Sequence, residues 1–127
     1  MNPSAPLKVL MTTDAVGGVW TYATSLASAL TAMEIEVHLV TMGPPPRAEK
    51  RAMLRDRRVR LIESPLALEW QDPAGDDLRN ARRYLGDLEN AIRPDIVHLN
   101  SFREANFDWL APVVVVAHYC CNSWGLA

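Results

Sequence analysis

Apolar positions fall into short unbroken runs and longer stretches with helical spacing. "LKVLMT", Leu7 to Thr12, is a short apolar run bounded by polar residues and predicts a buried strand. From Val19 to Met33, apolar residues recur at Trp20, Ala23, Leu26, Ala27, Leu30 and Met33. That spacing predicts a helix whose alanines let it lie close to a sheet. "EVHLVTM", Glu36 to Met42, predicts a second strand, stopped by Gly43 and the prolines after it. Arg47 to Asp56 predicts a short basic helix, and Val59 to Glu63 a third strand. After the irregular "SPLALEWQDPAG", Asp76 or Asp77 can cap a helix carrying Leu78, Ala81, Leu85, Leu88 and Ile92 on one face, which Pro94 ends. "DIVHLN", Asp95 to Asn100, and "PVVVVAH", Pro112 to His118, predict strands four and five. Between them "SFREANFDWLA" forms a short helix or a packed loop.

Strands alternating with helices imply the α/β class: a Rossmann-like open parallel sheet, ordered 3-2-1-4-5, with helices on both faces. The run Val113 to Val116 shows no alternation, as expected of a strand covered on both faces. So apolar a strand at a sheet edge calls for cover, and only nine residues follow His118. The expectation is a fold that continues past Ala127.

Composition adds bounds. At 127 residues, 49% hydrophobic and 22% charged, the chain suits one modest soluble domain. A net charge of -2 gives no reason to expect nucleic acid. Cys120 and Cys121 are adjacent, which makes neither a disulfide framework nor a metal-ligand pattern and suggests a reducing, cytoplasmic compartment. The amino terminus has no signal-peptide pattern, and no apolar run approaches the roughly 20 residues that span a bilayer. Arg47, Lys50, Arg51, Arg55, Arg57, Arg58 and Arg60 face only two acidic residues in the same stretch. Such a run is either a solvated face or a weak peripheral contact with an anionic membrane.

In open parallel sheets ligands bind beyond the carboxyl ends of the strands, where the strand order reverses. Here that crevice lies between strands one and four, and it gathers Asp14 to Gly18, Asn100 and Ser101, and His118. In "TTDAVGGVWTY", Gly17 and Gly18 precede the first helix directly. They either let a phosphate approach the helix's leading amides or simply turn a corner. The loop is neither G-x-G-x-x-G nor a Walker loop, and no acidic residue ends strand two, so a nicotinamide or flavin dinucleotide does not fit. His118 can donate to and accept from a substrate hydroxyl. Asn100 is a polar site residue or a structural one. His98 and His38, mid-strand, read as packing residues, while Glu69 and Asp72 read as solvated loop carboxylates.

Together "KVLMTTDAVGGVWTYA", "EVHLVTMGPPP", "ALEWQD", "RPDIVHLNS" and "APVVVVAHYC" resemble the amino-terminal domain of the family 4 retaining glycosyltransferases of the GT-B fold. The resemblance implies that residues 1–127 form the acceptor-side domain, with a carboxy-terminal donor-binding domain absent. It implies transfer of a hexosyl-type sugar from a nucleotide sugar to an acceptor with retention, and no metal or other cofactor. Gly17 and Gly18 then face the donor diphosphate and acceptor, and His118 contacts the donor sugar as the catalytic-site histidine. Asp14 contacts acceptor or loop backbone. Tyr119, Phe102 and Arg103 depart from the family pattern on the acceptor side. This fragment alone is expected to be inactive. The alternatives are a non-catalytic Rossmann-like module that binds a phosphorylated small molecule or a partner protein, and a small nucleotide-binding enzyme of another kind.

Overall fold

The computed structural model describes residues 5–15, 17–54, 58–68 and 71–118. In chain order the elements are β1 (Lys8–Asp14), α1 (Gly18–Ala32), β2 (Glu36–Met42), α2 (Ala48–Arg51), β3 (Val59–Glu63), α3 (Leu78–Ile92), β4 (Ile96–Leu99) and β5 (Val113–Val115). A 3-10 helix, Arg103–Asn106, links the last two strands. The strands form a single parallel sheet in the order β3-β2-β1-β4-β5, as the alternation implies.

Period-two alternation divides the sheet's side chains between two cores. Val9, Met11, Val37 and Leu39 pack with Trp20, Ala23 and Ala27 of α1. Leu10, Val40, Val97 and Leu99 pack on the other face with Ala81 and Leu85 of α3. Each helix thus covers one face. Leu85 is fully buried, so truncating it to alanine costs about 2–5 kcal/mol.

Several elements depart from the sequence expectation. β1 runs two residues further, because Thr13 and Asp14 continue the ladder opposite Thr41 and Met42. Asp14 is therefore a strand residue, not the first of the loop. Met33 is 70% exposed: it occupies the turn after α1, out of helical register. Thr24 and Thr31 take buried positions instead, with their hydroxyls donating to the Trp20 and Ser28 carbonyls at 2.9 Å. The basic stretch forms only the single turn of α2. Asp77 makes no side-chain cap for α3, since its carboxylate accepts from the Ala67 amide at 2.9 Å and the Asn80 side chain at 3.1 Å.

β5 is shorter than the apolar run suggests. Val113 and Val115 pack toward α3, but Val114 is 46% exposed, so the described residues cover this strand on one face only. The amide of Val116 still donates to the Leu99 carbonyl at 2.9 Å, carrying the chain alongside β4 beyond the strand's end. His118 thus stands three residues past β5 and does not end it.

Candidate functional site

β1 and β4 are neighbours at the point where the strand order reverses, the place where folds of this class bind ligands beyond the strands' carboxyl ends. Gly17, just past β1, has φ 71 and ψ -148, a backbone state that side-chain-bearing residues rarely adopt. The turn alone therefore accounts for Gly17. Gly18 has no positive φ, and a Cβ added there would meet no atom within 4 Å. Neither backbone geometry nor packing requires a glycine at this position, yet the side chain is missing from the first residue of α1. The helix begins with no side-chain cap, so its leading amides are left without that partner.

A cavity of about 330 Å³ adjoins this turn, lined by Ala15, Gly17, Pro44, Pro45, Arg47, Glu49 and Lys50. Trp20 fixes its wall. This residue is fully buried in the first turn of α1, and its indole N–H donates to the Lys50 carbonyl at 3.1 Å. The prolines after β2 hold the connecting loop stiff. Arg47 and Lys50 are thereby carried to the glycine turn. Arg58 and Arg60 instead line a hollow with Pro6, Glu34 and Glu36 at the amino ends of the strands, and Arg51 pairs with Glu63. Arg55 and Arg57 lie outside the described residues. The five described basic side chains of this stretch thus do not gather on one face.

On the β4 side the polar groups converge on Asn100. Its backbone amide meets Thr12 Oγ1 at 3.3 Å and its side-chain nitrogen donates to the Thr12 carbonyl at 2.8 Å. A carbonyl oxygen only accepts, so this bond settles which way the amide points. Asn100 Oδ1 then faces two imidazoles, His98 Nε2 at 3.2 Å and His118 Nε2 at 2.7 Å. Tyr22, one turn into α1, packs its ring edge-on to His118 with centroids 4.8 Å apart, and lies 6.3 Å from His98. The helix that starts at the double glycine therefore touches the histidine pair directly.

His98 belongs to this cluster and not to the core. Its register opposite Met11 places it on the α1 face, where the Tyr22 ring lies 6.3 Å away. Burial pushes its imidazole below the ordinary histidine range; the Asn100 hydrogen bond opposes this, and the charge of a protonated His118 adds to it. His38 is structural, as expected: it pairs with Glu36 at 2.6 Å and holds that carboxyl below the usual range, chiefly by the hydrogen bond.

Asp72 is not a solvated loop carboxylate. It pairs with Arg103 at 3.1 Å, and both side chains are at least nine-tenths buried. The amides of Asp77 and Asp76 at 2.8 Å, then Arg103, hold its carboxyl below the ordinary range. Arg103 turns inward, reaches the Ala67 carbonyl at 3.3 Å, and so ties the 64–77 loop to the turn after β4. Glu69, Tyr119, Cys120 and Cys121 lie outside the described residues. Among the described residues no three His, Cys, Asp or Glu side chains cluster as a metal ion would require, and no helix is long and apolar enough to cross a membrane.

The family model described as Glycosyltransferase Family 4 matches residues 16–125. The chain belongs to glycosyltransferase family 4. A search of the curated proteins found no match. In this family 4 chain the matched region contains Gly17, Gly18, Tyr22, His98, Asn100 and His118, and Asp14 lies just before it. His98 and Tyr22 are the members of the cluster that sequence reasoning missed. A polar residue two positions before a strand-end asparagine was the available signal for His98, since such positions share one face of a strand.

Proposed function

We propose that this chain supplies the acceptor-side half of a retaining glycosyltransferase that moves a hexosyl group from a nucleotide sugar to an acceptor hydroxyl. Gly18 carries the reading. It is a position without a side chain that neither the turn nor the packing demands, at the start of an uncapped helix. An approaching ligand explains it, and an anionic one suits the helix terminus. Departure of a nucleoside diphosphate builds negative charge on the leaving group and leaves an oxocarbenium-like sugar. The amides after Gly17, with Arg47 and Lys50 beside them, meet that negative charge without a divalent cation. His118 orients the sugar, Asp14 borders the acceptor, and Asn100 acts through His118. The second domain implied by the family resemblance would hold most of the nucleotide, so this chain by itself binds weakly and does not turn over.

The test is a titration of the isotope-labelled chain with uridine, guanosine and adenosine diphosphate sugars, followed by amide shifts. Weak, saturable shifts at Gly17, Gly18 and Asn100 without product are the expected result. Shifts that leave the glycine turn untouched would sink the reading, and tight binding of a dinucleotide would replace it with another nucleotide-binding activity.

A further inference from the structure

Asn100 joins two imidazoles to the backbone of β1 through one planar amide. Its nitrogen donates to the Thr12 carbonyl, which has no proton to give, so the oxygen is the atom turned to the imidazoles. Its oxygen can only accept, and it has two lone pairs for two neighbours, His98 Nε2 and His118 Nε2. A neutral imidazole carries a proton on one nitrogen only, so a ring whose Nε2 donates leaves Nδ1 bare. We propose that Asn100 is the positioning residue of this site, fixing His98 and His118 alike as the Nε2–H tautomer so that His118 offers its Nδ1 as a hydrogen-bond acceptor.

The arrangement constrains what His118 does. Nε2 stays engaged with Asn100 whether the ring is neutral or charged, so any proton taken up goes to Nδ1 and the ring need not turn. A substrate group meeting the neutral ring at Nδ1 must be a donor, which a sugar hydroxyl is and a fluorine or ether oxygen is not. That clause rests on the sugar-binding role proposed above; the tautomer assignment does not. Tyr22 packs edge-on to the His118 ring, with centroids 4.8 Å apart, and restrains the plane of that ring. Asn100 itself is buried, so water does not replace its oxygen at the junction.

Long-range proton–nitrogen correlation spectra of the labelled chain above neutral pH read each tautomer without any ligand. The expected spectrum places Nδ1 of both His98 and His118 at the downfield position of an unprotonated ring nitrogen and Nε2 at the upfield position of a protonated one. A protonated Nδ1 on either neutral ring overturns the proposal, and this wild-type reading decides the matter even if variants fail to fold. In Asn100→Ala both histidines move to averaged, mixed-tautomer shifts while His38, held by Glu36, keeps its own. Unchanged His98 and His118 shifts in that variant also overturn it. Because no ligand enters, the outcome is separate from that of the sugar-nucleotide titration.

Discussion

The indole of Trp20 and the carbonyl of Lys50 lie 3.1 Å apart, so one hydrogen bond clamps the first turn of α1 to the segment that carries Arg47 and Lys50. The glycine turn and its neighbouring cations keep their spacing through this contact, since the one-turn helix α2 has little packing of its own and no buried residue.

Trp20→Phe keeps the aromatic packing and removes the donor. The loss should be about 1–3 kcal/mol, from an acceptor left short of its partner and a small void. A lowered urea midpoint, with faster amide exchange over residues 48–54, is the expected result. An unchanged midpoint would show that the clamp contributes nothing.

The two glycines should respond in opposite ways to the same methyl group. Gly17→Ala forces an alanine into a backbone state it avoids and should cost about 1–3 kcal/mol. Gly18→Ala meets open space and reduces the freedom of the unfolded chain, so it should stabilise by about 0.4–1 kcal/mol. If the proposed ligand approaches there, the same substitution weakens nucleotide-sugar binding by about tenfold, a loss of roughly 1.4 kcal/mol. Thermal melts and the titration, run side by side, separate the two effects.

Protons should destabilise the fold through His98. The folded chain keeps this imidazole below its ordinary pKa, so below about pH 6.5 the unfolded chain takes up a proton that the folded one refuses. Stability therefore falls as the pH drops through that region, and levels off once the folded form is protonated too. Urea midpoints from about pH 7.5 to about pH 5 should slope downward in the wild type and lose this part of the slope in His98→Gln. A second decline, below about pH 4, belongs to Glu36 and Asp72, whose carboxyls are held low, and should persist in the variant.

Breaking the buried Arg103–Asp72 pair should be costly from either side, but unequally. Arg103→Met leaves Asp72 still bound by two backbone amides. Asp72→Asn leaves a buried guanidinium with the Ala67 carbonyl and a neutral amide. The second variant should therefore melt at the lower temperature. The double variant should lose less than the two singles together, as a coupled pair requires. Additive losses would show that the two charges do not interact.

The strand order and the two-faced cover are legible in the sequence because they follow from unbroken apolar runs alternating with helical spacing. The positions of Gly17, Gly18 and Asn100 just beyond strand ends are legible as well, whereas His118 stands three residues past β5 instead of ending it. What escaped reading depends on register and on distant partners. His98 looks like a core residue until its pairing with Met11 puts it under Tyr22 and beside Asn100. Asp72 looks solvated because Arg103, 31 positions later, is what buries it. Asp77 looks like a cap, and a loop amide at Ala67 claims its carboxylate first. Local pattern fixes which element forms; it says little about which polar side chain a neighbouring loop will recruit.

Thr12 and Asn100 are 88 positions apart. During synthesis the first helix and the first two strands leave the ribosome long before the fourth strand exists, and closing so large a loop is slow. The glycine turn can thus be in place while His98 and His118 are still unmade, and the cluster on Asn100 closes only after the segment carrying β4 and β5 has been translated.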